Sequence, residues 1–153
     1  MSREENVAIL DSYYQALKDA DFDRYLGLFA DDVMYNVNGS TEVSGRWEGK
    51  AALAEQLNPH VFEHIDVSRT VMATKYAVMC ADDERVVGIM EAEGTSVDGN
   101  PYPQRYCMIL AIRDGLIAEV HEFFDTALAE TALFGGTLER AGVESMATAD
   151  FDF

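Results

Sequence analysis

The chain has 153 residues, 48% hydrophobic and 25% charged, which is the composition of a globular domain large enough to bury one core. Acidic residues outnumber basic ones 28 to 11, and the formal charge of −17 excludes partners that present phosphate backbones or anionic lipid. No apolar run approaches the roughly 20 residues of a membrane span, and MSREENV lacks the apolar centre of a signal peptide, so a cytoplasmic protein is expected.

In chain order, Arg3–Ala20 has helical periodicity, with Val7, Leu10, Tyr14 and Leu17 in one stripe and Ile9 and Tyr13 widening it. Ser2 with Glu5 forms a capping-box pattern, and Asp21 is placed to cap a second helix over Phe22–Phe29. Val33, Tyr35 and Val37 alternate with polar or flexible neighbours, as in a strand. A loop follows from Asn38 to Gly45, and a third helix is expected over Glu48–Leu57, stopped at Asn58-Pro59. His60, His64 and Glu63 follow in one turn-rich segment that defines no ligand geometry, so no metal is expected there. From Ile65 onward the pattern is of strands: one beginning at Ile65, Val67 and Val71, a run Ala77–Ala81, and a run Arg85–Thr95 after Asp82-Asp83-Glu84. Cys80 and Cys107 lack metal-ligand spacing and are expected to be free, buried thiols.

The stretch from Asp98 to Thr126 holds the strongest local signal. Runs Tyr106–Ile112 and Leu116–Phe124 flank Asp114-Gly115, where glycine supplies the positive φ of a tight hairpin. Strand parity sets Ala118, Val120, Glu122 and Phe124 on one face, with Ile117, Glu119, His121 and Phe123 on the other. Glu122 is thereby a lone carboxylate in an apolar row. A short helix over Ala127–Phe134 ends at Gly135-Gly136. Residues 1–135 thus read as a single α+β domain, and 136–153 as an acidic tail or a lid.

Four segments carry a family resemblance: SYYQALKDADFDRYLGLFADDV (Ser12–Val33), GRWEGKAAL (Gly45–Leu53), DGNPYPQRYCMIL (Asp98–Leu110) and DGLIAEVHEFFDT (Asp114–Thr126). In order and spacing they resemble the SnoaL-like and ketosteroid isomerase-like superfamily, which has the nuclear transport factor 2 fold. The resemblance implies an α+β cone in which a curved, mixed or antiparallel sheet wraps an apolar pocket under N-terminal helices. It implies no cofactor, and a homodimer. It also assigns roles. Glu122 matches the carboxylate of the W-R-D-Y-F-D motif of limonene epoxide hydrolase, Glu91 its second carboxylate and Tyr35 its pocket tyrosine. The bridging arginine of that enzyme falls at Ile89 and its water-binding asparagine at Val37. Against ketosteroid isomerase, Tyr13 matches the oxyanion tyrosine, while Val37 and Met108 stand where its acids belong.

The expected catalytic set is therefore Glu122, with Glu91 or Asp125 as partner and Tyr13 or Tyr35 as polarising donor. Trp47, Ile89, Tyr106, Met108, Leu110, Val120 and Phe124 are the expected substrate-binding residues. A carboxyl group in an apolar cavity has its charged form disfavoured, so its pKa rises toward the working range of a general acid or base. The expected partner is a small apolar molecule, with isomerase, dehydratase, cyclase or epoxide hydrolase chemistry. The competing expectation is a binding or dimeric scaffolding module, to which the apolar Ile89, Val37, Met108 and Leu110 point. Asp125 also reads as a helix cap, and Tyr13, Tyr35, Tyr106 and Trp47 also read as core.

Overall fold

In the computed structural model, which describes residues 2–139, six strands form one sheet in the order β2-β1-β6-β5-β4-β3. The strands are β1 (Phe29–Val37), β2 (Gly45–Glu48), β3 (Val71–Ala81), β4 (Arg85–Thr95), β5 (Pro101–Arg113) and β6 (Leu116–Phe124). All neighbours run antiparallel except β1 and β6, which are parallel, so the sheet is mixed. Helices α1 (Arg3–Lys18) and α2 (Phe22–Gly27) open the chain and α5 (Thr126–Ala132) follows β6. The result is the α+β cone expected from the sequence.

Local rules explain most boundaries. Ser2 accepts from the Glu5 amide at 3.2 Å while Glu5 accepts from the Ser2 amide at 2.7 Å, closing the capping box. Asp21 caps α2, but the helix stops at Gly27 and Phe29 already belongs to β1, where it is fully buried. The β5–β6 turn has φ of +54° at Asp114 and +80° at Gly115, the pair of positive values that a two-residue hairpin of matching twist requires.

Pro59 does not end the third helix. The chain runs from α3 (Lys50–Ala52) through a π-helical turn (Leu53–Leu57) into α4 (Asn58–His64). The Asn58 amide reaches back to the Leu53 carbonyl, a bond one residue wider than in an α-helix. The widened turn absorbs a proline that has no N–H to give and would crowd the preceding turn of an ordinary helix.

Bulges bend the sheet. Register shifts occur in β3 between Val71 and Lys75 and between Val78 and Cys80, and the β5–β6 pairing skips Ala118. The first inserts two residues on β3 and the other two insert one each, on β3 and β6, and each sharpens the local twist. Cys80, beside the second shift, is exposed instead of buried as its sequence suggested. The skip at Ala118 also corrects the parity expected for β6: Ile117 is fully buried with Val120, instead of facing away from it. Leu10, Tyr13 and Tyr14 of α1 are buried against the concave face, with Val86, Met90, Met108, Leu110, Ile112 and Val120 from the sheet.

Candidate active site

Glu122 sits on β6 opposite Val37 of β1 and Met108 of β5. Its side chain lines a cavity of about 150 Å³ whose walls are mostly apolar: Leu17, Val37, Val43, Leu57, Val61, Ile65, Met72 and Met90, with the aromatic rings of Tyr13, Phe22, Tyr25, Tyr35 and Tyr106. Lys18 and Ala20 lie at the end of α1, on the same cavity. A smaller lobe of about 50 Å³ shares Glu122, Tyr106, Val43, Val61 and Ile65 and adds Tyr102, Phe124 and Phe134. Glu122 is the sole acidic residue on either wall among the described residues.

Burial drives the chemistry of this carboxyl. Protein surrounds it, and the surface it keeps faces the cavity, so its charged form is poorly solvated and its pKa is pushed up to about 7. The Tyr35 hydroxyl donates to Glu122 Oε2 and pulls the value down, but by less than burial raises it. Tyr35 and Tyr13 place their hydroxyl oxygens 3.4 Å apart, and the Tyr25 hydroxyl interacts with both. Burial raises the pKa of all three phenols, and the Glu122 carboxylate adds to the rise in each. These tyrosines therefore stay protonated at neutral pH, as donors. Their rings are held by one another and by Phe29, with Tyr25 and Phe29 meeting edge to face at 4.9 Å.

The structure brings together Glu122, Tyr13, Tyr35 and Tyr106, and sets Phe124 on the smaller lobe. It separates the others. Glu91 and Ile89 lie on the opposite face of the sheet, because β4 turns Val86, Gly88, Met90 and Ala92 inward. Glu91 there pairs with Arg105 at 3.0 Å, across the β4–β5 register. Asp125 caps α5 by accepting from the Leu128 amide at 3.0 Å, and its backbone is clamped by Gln104. It does not line the cavity. Met108, Leu110 and Val120 are fully buried in the core beneath α1 instead of on the cavity wall. Trp47 is half-buried on β2, donating its indole N–H to the Val43 carbonyl at 3.0 Å. His121 points away from the cavity and contacts Glu119 at 2.8 Å.

Sequence reasoning missed Tyr25 and the α4 wall. Tyr25 carried a signal: like Tyr13 and Tyr35, it is a phenol set among hydrocarbon side chains on an apolar stripe. Nothing in the sequence announced that Val61 and Ile65 lie across from Glu122, because Pro59 read as a stop.

The chain belongs to the SnoaL-like domain family, whose profile matches residues 10–120. Solved structures share its fold. An NTF2-like protein from Burkholderia xenovorans LB400 superposes with a TM-score of 0.70 at 23% identity, over 87% of this chain and 98% of its own. A candidate isomerase from Bacillus subtilis gives 0.72 at 23% identity, over 88% and 95%. A candidate polyketide cyclase from Pseudomonas putida gives 0.67 at 21% identity, over 82% and 95%. No curated protein matches the chain, and no described helix is long and apolar enough to cross a membrane.

Proposed function

We propose that this protein is an acid/base enzyme that moves a proton on a small apolar substrate carrying a carbonyl or hydroxyl group, with Glu122 as the transferring group. The observation that carries the reading is a single carboxyl on the wall of an apolar cavity with its pKa near 7, bonded by a tyrosine hydroxyl. At that pKa both protonation states are well populated at neutral pH, which suits a group that removes a proton and then returns it. The carboxylate takes a proton from the carbon beside the polar group. Tyr13, Tyr35 and Tyr106 remain protonated and are the donors available to a developing oxyanion.

The separation of Glu91 from the cavity favours one-carboxylate chemistry: isomerisation, dehydration or cyclisation rather than epoxide hydrolysis by a carboxylate pair. Neighbours described as a candidate isomerase and a candidate polyketide cyclase support the same direction. A cavity near 150 Å³ takes a benzene-sized molecule, so one ring of a substrate fits the main lobe and substituents extend into the smaller lobe or the open mouth. The outer sheet face carries Ile89, Ile109 and the exposed Phe123, which suits the homodimer the family resemblance implies.

The test is turnover in a screen of apolar ketones, alcohols and epoxides, followed by Glu122→Gln. The expected loss in kcat is about 10²- to 10⁴-fold, the range for a removed acid/base group, with ligand affinity kept. Turnover within a few-fold of wild type means another group moves the proton. Saturable binding of these compounds without turnover means the fold serves as a binding module.

A further inference from the structure

At the outer side of the cavity wall, three side chains from two separate segments converge. Glu42, His60 and His64 each offer a ligand atom such that all three lie within 4.8 Å of one another. His60 and His64 stand one turn apart on α4, so both imidazoles leave the same side of the helix. Glu42 comes from the loop between β1 and β2, and its Oε2 is 3.2 Å from His60 Nε2. With bonds of about 2.1 Å, tetrahedral ligand atoms sit roughly 3.4 Å apart. The Glu42–His60 pair is thus already at ligand spacing, and a side-chain rotation brings His64, within 4.8 Å of both, to the third position.

The surroundings hold this geometry. Phe134 stacks on His60, with 6.3 Å between centroids and 18° between planes, and meets His64 edge to face at 5.1 Å. The loop carrying Glu42 is braced on both sides: the Thr41 amide donates to Ser44 Oγ at 2.9 Å and the two hydroxyls lie 3.0 Å apart. Thr41 and Val43, the neighbours of Glu42, are buried. Both histidines are half-buried while Glu42 is exposed, leaving one side open to solvent.

We infer that Glu42, His60 and His64 form a binding site for a divalent transition-metal ion, zinc by preference, that clamps the β1–β2 loop to α4. Two imidazoles and one carboxylate are the donors zinc takes, with water in the fourth position. Hard cations such as Mg²⁺ prefer all-oxygen sets. The clamp bears on the cavity directly, because Val43 and Val61, adjoining Glu42 and His60, line both lobes, and Phe134 lines the smaller one. Glu63, the sequence neighbour of His64, is not part of the cluster, which is why the local segment alone showed no ligand geometry.

The experiment is isothermal titration of the full chain with ZnCl₂, with MgCl₂ as control, together with thermal melts and Co²⁺ absorption. The expected result is one Zn²⁺ per chain, a Tm raised by zinc and not by Mg²⁺, and the visible bands of tetrahedral Co²⁺. His64→Ala and Glu42→Gln are each expected to weaken zinc by at least about tenfold, the scale on which even outer-shell changes act, and to abolish the Tm shift. Circular dichroism reports whether each variant folds, and Glu42→Gln, at an exposed position, keeps the test informative should His64→Ala fail. Zinc that does not bind, or binds both variants as tightly as wild type through the acidic surface at large, overturns the inference.

Discussion

Tyr35 donates its hydroxyl to Glu122, and that bond opposes the burial that raises the carboxyl pKa. Tyr35→Phe removes the opposing cause, so the Glu122 pKa should rise further above 7 in a carboxyl ¹³C NMR titration; a fall would mean that burial is not what sets it. Glu91 has the same carboxyl group in a different setting, paired with a half-exposed Arg105 on the outer face. Exposed or partly exposed ion pairs contribute about 0 to 1 kcal/mol. Glu91→Ala should therefore shift urea-unfolding stability by no more than about that amount, and leave turnover unchanged within twofold. A large loss of turnover would require a route from the outer face to the cavity.

The strands show what the sequence made legible and what it did not. The β5–β6 hairpin could be read from Asp114-Gly115 between apolar runs, and its parity correctly separated Glu122 from His121. In β4 the resemblance placed Glu91 and Ile89 inward, although the strand's own alternation points the other way: Val86, Gly88, Met90 and Ala92 are apolar or small, while Arg85, Glu91 and Glu93 are charged. A register offset of one residue exchanges the faces of a whole strand, and the charge pattern is the evidence that decides it. Ile117 was misjudged for a different reason, since the bulge at Ala118 leaves no mark in composition. The helical wall was cut short at Pro59 because a π-turn that admits proline has no sequence signature. Gly88, by contrast, has a clear packing reason. A Cβ there would lie 2.5 Å from the Tyr14 hydroxyl and 2.6 Å from Leu10 Cδ2, so α1 reaches its seat on β4 because that position carries no side chain. Gly88→Ala should cost about 1–3 kcal/mol, the range for overpacking a core, read as a lower midpoint in urea unfolding; an unchanged midpoint would mean α1 is free to shift.

For the molecule as a whole, the buried carboxyl imposes a pH dependence. Its pKa is near 7 folded against an ordinary 4.5, so between those values the folded state binds more protons than the unfolded state. Stability contributed by this group therefore falls as pH rises from about 4.5 to 7 and levels off above, by up to about 3 kcal/mol. Glu122→Gln should remove that slope and make the protein more stable than wild type at pH 8, with the gain vanishing near pH 4. Residues 140–153, the greater part of the segment read as a tail or lid, lie outside the described residues.

The measurement that bears most directly on this account is the ionisation of Glu122 itself. Side-chain carboxyl ¹³C NMR across pH 3 to 10, with the resonance assigned by its loss in Glu122→Gln, is predicted to give a midpoint near 7. A midpoint near the ordinary 4.5 would contradict it, because a well-solvated carboxylate has no reason to act as the proton-transfer group of an apolar cavity.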